Sequence, residues 1–171
     1  MHRSPDCRVR QLDVPAGAET PLPAHVAAAL DSRGIDASDD AIRRALIAAL
    51  DPDVETRPGA VAAVDGAAER GPIAICSNCS VPRLVDRALE RSALDPDRFD
   101  AIVTSVDCGW RKPDRRIFAL TAEQLDASLD ALVHVGDDPH ADGGIEAYGG
   151  RAVLLTEHEL SAVPGRLEAS E

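Results

Sequence analysis

Three carboxylates, Asp137, Asp138 and Asp142, follow a short apolar run (Ala131 to Val135) in the stretch LVHVGDDPHADGGIEAYGG. The run reads as a buried strand and the acids as the turn leaving it. In an open α/β sheet, ligands sit at the carboxyl ends of the strands, so these acids stand where chemistry is expected. Hard carboxylate oxygens on one tight turn suit Mg2+, which keeps several waters and is often shared with a substrate phosphate. An acidic loop in an acidic protein would look the same in isolation, so the weight falls on the other strand ends.

Two of these carry complementary chemistry. The apolar strand at 73–76 runs into Cys76-Ser77-Asn78-Cys79, where a hydroxyl, an amide and backbone N–H groups precede a helix and suit an anion such as phosphate. Ser77 as a simple helix cap is the competing account. The strand at 101–103 runs to Thr104-Ser105 and then to Lys112-Pro113-Asp114. Lys112 is the single lysine among 18 basic residues. Lysine supplies a compact point charge rather than a planar fork, which suits neutralising a carboxylate and a phosphate together.

The elements that must hold these groups follow from periodicity. Residues 1–22 are irregular, broken by Pro5, Pro15, Gly17 and Pro21, with Cys7 to Val14 as their one strand-like piece. Helical patterns follow at 23–33, stopped by Gly34, and at 38–50, opened by Ser38 as N-cap. Another begins at Pro58 and runs to about Arg70. From residue 73 onward, short apolar strands at 73–76, 101–103, 131–135 and 151–155 alternate with helices after Ser80, at 113–125 and at about 142–148. That rhythm predicts an α/β fold with a parallel sheet flanked by helices. The domain reading is an irregular segment over 1–22, a small helical unit over 23–57 and an α/β core over 58–171.

Composition narrows the function classes. The chain has 171 residues and a formal charge of −12. That balance argues against nucleic acid as a partner, since phosphate backbones require basic patches. Many carboxylates with almost no lysine resemble the surfaces of salt-adapted archaeal proteins. No apolar run approaches a membrane span and no signal-peptide pattern opens the chain, so a cytoplasmic protein without a membrane partner is expected. Cys7, Cys76, Cys79 and Cys108 do not read as a disulfide framework in that compartment.

Ser77, Lys112-Pro113-Asp114 and Gly136-Asp137-Asp138-x-x-x-Asp142, on three successive strands, resemble motifs II, III and IV of the haloacid dehalogenase superfamily over about residues 58–155. The resemblance implies a Rossmann-like hydrolase working through an aspartyl-phosphate intermediate, with a partial helical cap at 23–57. Ser77 would bind the transferring phosphoryl group with Asn78 beside it. Lys112 would neutralise the nucleophile and phosphate, and Asp137, with Asp138 or Asp142, would hold Mg2+. The implied partner is a small phosphorylated metabolite. The Gly-Asp-Asp turn favours phosphate chemistry over carbon–halogen cleavage.

The pattern breaks at the superfamily's first motif, a hydrophobic strand ending in Asp-x-Asp-x-Thr. The nearest candidate is Asp13, but position 15 is Pro and its strand alternates arginine with apolar residues. The sequence therefore reads as an N-terminally shortened relative that is inactive as written. Without that strand, two central sheet edges would stand unpaired or pair with each other. Two rivals remain: a phosphate- and Mg2+-binding protein without turnover, and a Cys76-x-x-Cys79 metal or redox site. His134 reads as a satisfied histidine in or near the core, and His140 has no assigned role.

Overall fold

The computed structural model describes residues 14–50 and 53–168. Within them, α1 (Leu22–Asp31) and α2 (Asp39–Ala49) form a hairpin, and α3 (Ala60–Ala68) leads to the sheet. Strand β1 (Ala74–Ser77) is followed by α4 (Leu84–Arg91), β2 (Ala101–Thr104), a single-turn α5 (Ser105–Cys108) and α6 (Arg115–Gln124). Strand β3 (Val133–Gly136), a 3-10 helix over Gly143–Tyr148, β4 (Arg151–Leu154) and α7 (Val163–Glu168) complete it. The four expected strands are present within two residues of their anticipated ends, so the α/β reading holds.

Side-chain caps account for some of the helix starts. Ser38 accepts the Ala41 N–H at 3.3 Å and opens α2, and Asp114 accepts the Arg116 N–H at 2.9 Å and opens α6. The helix expected directly after Ser80 starts only at Leu84, because Arg83 takes a left-handed backbone conformation (φ 64°). Pro58 lies outside α3, whose cap is Gly59 at φ 82°. The helix anticipated at 142–148 is a 3-10 helix starting at Gly143. The strand-like piece from Cys7 lies outside the described residues except for Val14, which is exposed and in no strand.

Topology differs from a continuous sheet. Strand β1 pairs in parallel with β2, from Ala74↔Ala101 to Ser77↔Thr104. Strand β3 pairs in parallel with β4, from Val133↔Arg151 to Gly136↔Leu154. Among the described residues these are two separate two-stranded sheets, and β1 and β3 do not pair with each other. Burial follows the split. Val103 and Thr104 on β2 and Val153 on β4 are buried, whereas β1 and β3 have no fully buried residue. In a covered parallel sheet the inner strands are normally the most buried. Here β1 and β3 border a seam.

Helix α6 packs across that seam. Its Ile117 and Phe118, 0% and 1% exposed, form one core with Val103 of β2 and Ile145 of the 3-10 helix. Phe118 also sets its ring edge against His134 on β3, with centroids 5.5 Å apart. A second core joins Ala63 of α3, Val153 of β4 and Val163 of α7. The two sheets are thus held at fixed positions by helix packing rather than by strand pairing, and their carboxyl ends meet at one place.

Candidate functional site at the strand ends

The loop carrying Lys112 is positioned by side chains from both directions. Asn78, just past β1, accepts the Lys112 N–H on Oδ1 at 2.7 Å and donates from Nδ2 to the Lys112 carbonyl at 3.0 Å. Its amide thus clamps the backbone of Lys112 from both sides and keeps one Nδ2 hydrogen uncommitted. On the other side, residues 15–19 run along residues 109–111. Ala18 and Trp110 form an antiparallel bridge, and the Arg111 N–H donates to the Gly17 carbonyl at 2.9 Å. Glu19, whose side chain is 2% exposed, accepts Arg111 NH1 at 2.9 Å and the Ser105 hydroxyl. The Lys112–Pro113 peptide bond is cis.

With its backbone held, the Lys112 side chain reaches across the seam. Nζ donates to the Cys76 carbonyl of β1 at 2.8 Å and to Asp142 Oδ1 at 2.6 Å. The two side chains are 10% and 6% exposed. Asp142 Oδ1 also lies 2.8 Å from His134 Nε2, and its Oδ2 accepts the Asp138 N–H at 2.9 Å. Gly136 makes this approach possible, since a Cβ there would stand 2.1 Å from Asp142 Oδ2. Gly144 likewise lets the 3-10 helix close on Pro113, where a Cβ would meet the proline Cβ at 2.3 Å.

Electrostatics follow from these partners. Burial is the largest influence on Asp142 and pushes its carboxyl upward. The bonds from His134, Lys112 and the Asp138 N–H together outweigh it and hold the group well below the usual carboxylate range. Cys76 behaves oppositely: burial pushes its thiol up, against a lowering hydrogen bond with Thr121. A buried, protonated thiol is a small apolar group rather than a nucleophile. Cys79 and Cys108 are also free thiols, donating to the carbonyls of Val81 and Trp110. Cys7 lies outside the described residues.

The remaining groups can be sorted by what they have left to offer. Ser77, between two residues that hold Lys112, is half-buried, and no described side chain occupies its hydroxyl. Asp137 is exposed. Asp138, also exposed, accepts the His140 and Ala141 N–H groups on Oδ1 and so shapes the turn. Asp142 keeps no oxygen clear of Lys112, His134 and the backbone. Among the described residues, no group of three His, Cys, Asp or Glu is arranged to hold a metal ion. The donor chemistry fits Mg2+ at Asp137 and Asp138, where exposed oxygens admit a hydrated cation. It does not fit at Asp142, whose Oδ1 already faces an ammonium.

Sequence reasoning missed two participants. The sequence reads His134 as a satisfied histidine near the core; it is one, and its partner is a site carboxylate. The signal was a polar residue inside an apolar strand two positions before Gly136. Glu19 carried no signal, lying in an irregular segment whose contact with Ser105 and Arg111 is purely tertiary. A concavity of about 470 Å3 lies beside Arg57, Leu155, His158 and Ser161, and none of the lysine cluster lines it. The site is defined by polar convergence, not by that hollow.

Comparison with known proteins bears on the family and the fold. A family profile described as haloacid dehalogenase-like hydrolase matches residues 10–144. Haloacid dehalogenase-like hydrolase domain-containing protein 3 of Bos taurus is 36% identical over 105 residues, covering 59% of this chain and 40% of that protein. Among solved structures, a 2-haloacid dehalogenase from Pseudomonas syringae pv. Tomato DC3000 superposes with TM-score 0.67 at 22% identity, covering 85% of this chain and 69% of that one. A HAD phosphatase from Thermococcus onnurineus gives TM-score 0.55 at 23% identity, covering 74% and 56%. The chain belongs to the haloacid dehalogenase-like hydrolase family. It spans well under half of the bovine relative, and the two structural neighbours, at such low identities, share its fold.

Proposed function

We propose that the strand ends bind the phosphoryl group of a small phosphorylated molecule, with Mg2+ held by Asp137 and Asp138. The carrying observation is Lys112. A cation 10% exposed is anchored from both sheet halves at the point where Ser77 and the acidic turn converge. Lys112 supplies the buried positive charge, Ser77 a hydroxyl donor, and Asn78 holds the loop that carries the lysine. Bound Mg2+ would neutralise phosphate charge and polarise its oxygens. Asp142 then serves as the anchor of Lys112 rather than as a metal ligand.

Hydrolysis through an aspartyl-phosphate requires a carboxylate nucleophile facing Lys112. Among the described residues, the carboxylate in contact with Lys112 is Asp142, and both its oxygens are engaged. Mg2+-dependent phosphatase activity is accordingly the function we assign to a form in which an aspartate is supplied from outside those residues. For the described residues taken by themselves we assign binding without turnover. Helices α1 and α2 are read as a partial cap. The Leu22 N–H donates to the Ser80 carbonyl at 2.8 Å and ties the start of α1 to the loop after β1.

The test is orthophosphate binding by calorimetry with and without Mg2+, alongside turnover of p-nitrophenyl phosphate. Binding that Lys112→Ala abolishes and Asp137→Asn makes Mg2+-independent is the expected result. Turnover by this chain would overturn the binding-only assignment. No phosphate binding in either condition would sink the site reading altogether.

A further inference from the structure

We propose that His134 is a positioning residue: by donating Nε2–H to Asp142 it leaves one ammonium N–H of Lys112 uncommitted and available to an anion. The inference starts from donor counting. A lysine ammonium has three N–H donors and a carboxylate only accepts. Two of the Lys112 donors go to the Cys76 carbonyl at 2.8 Å and to Asp142 Oδ1 at 2.6 Å. His134 Nε2 stands 3.3 Å from Nζ, within reach of the third. The same Nε2 stands 2.8 Å from Asp142 Oδ1. The tautomer of His134 therefore decides what happens to that third donor.

With the proton on Nδ1, Nε2 would accept from Lys112 and consume the last N–H, but its lone pair would face a carboxylate oxygen at 2.8 Å. With the proton on Nε2, that short contact becomes a charge-assisted hydrogen bond. Nε2 then has nothing to accept with, and the longer approach to Lys112 is no bond. The distances select the second arrangement. Phe118 holds the ring by an edge contact, and the His134 side chain is 13% exposed, so the ring cannot turn freely to offer its other nitrogen.

The clamp also acts on Asp142. His134 and Lys112 both donate to Oδ1, and the Asp138 N–H holds Oδ2. Remove the His134 donor, and the carboxylate is free to swing and take two ammonium N–H groups at once. The lysine would then keep its charge and lose its outward-facing donor. This role rests on the anion-binding reading of Lys112 given above.

Two readouts test it on the whole chain. The 15N chemical shifts of His134 at neutral pH are expected to show a protonated Nε2. Orthophosphate affinity is expected to fall about tenfold in His134→Leu, the loss of one charge-assisted bond, and to return within about twofold in His134→Gln, whose amide restores a donor. Should His134→Leu fail to fold, the wild-type shifts and His134→Gln still decide the matter. An Nε2 that carries no proton, or a glutamine variant as weak as the leucine one, overturns the proposal. A wild-type chain with protonated Nε2 that binds no phosphate refutes the anion site itself, and with it the purpose assigned to the clamp.

Discussion

Breaking the Lys112–Asp142 pair should reveal how much of this fold rests on one polar link across the seam. The charges lie 2.6 Å apart, with side chains 10% and 6% exposed. At an effective dielectric near 20, their attraction is on the order of 6 kcal/mol, most of it offset by the cost of removing both ions from water. Removing one partner exposes that cost. Lys112→Met leaves a buried carboxylate with His134 and the Asp138 N–H only, and is expected to lower stability by about 3 kcal/mol at neutral pH. Asp142→Asn leaves the ammonium buried with the Cys76 carbonyl and a neutral amide, at about 2–3 kcal/mol. The double variant buries no unpaired charge and should lose clearly less than the sum, with a coupling of about 2 kcal/mol or more. Urea unfolding of the four proteins measures the cycle. Additivity within about 0.5 kcal/mol would refute the reasoning, because it would mean that the ions are solvated rather than locked together.

The same pair sets an acid dependence. Folding holds the Asp142 carboxyl below its ordinary range, so the unfolded chain takes up that proton first as pH falls. The stabilisation is complete above the ordinary carboxylate pKa of about 4 and is lost progressively below it. The stability gap between the wild-type chain and Asp142→Asn should therefore narrow below about pH 4. A gap that stays constant down the acid limb would contradict the proposed partners. Gly136→Ala should cost about 2 kcal/mol or more in the same unfolding assay, since its Cβ would stand 2.1 Å from Asp142 Oδ2 and displace the carboxylate. A neutral outcome would show that the strand end can shift without strain. Glu19→Leu strips Arg111 and the Ser105 hydroxyl of a buried acceptor. It should lose about 2–3 kcal/mol and raise proteolytic sensitivity around residues 14–22. Unchanged cleavage there would show that Glu19 does not tie this segment down.

Local patterning was enough to read the strands, the main helices and the carboxyl-end placement of Ser77, Lys112 and the Asp137–Asp142 turn. Those features depend on side-chain alternation, capping and the rule that ligands gather at parallel strand ends, all written in short windows of sequence. The family followed from the same residues, because three short motifs in order on successive strands are specific even when each is modest alone. The delayed start of α4 was not legible, since nothing in the residue type of Arg83 announces a left-handed backbone.

What each polar group does was decided only by the tertiary structure. Asn78, Lys112 and Asp142 are linked through strand ends that lie far apart in the chain. Whether an amide faces a ligand or a backbone, and whether a carboxylate faces a cation or a lysine, depends on distances of a few ångströms that no spacing rule contains. The split into β1–β2 and β3–β4 belongs to the same level. Strand pairing is a long-range choice, and here α6 and the Lys112 bridge hold together two half-sheets that the described strands do not join.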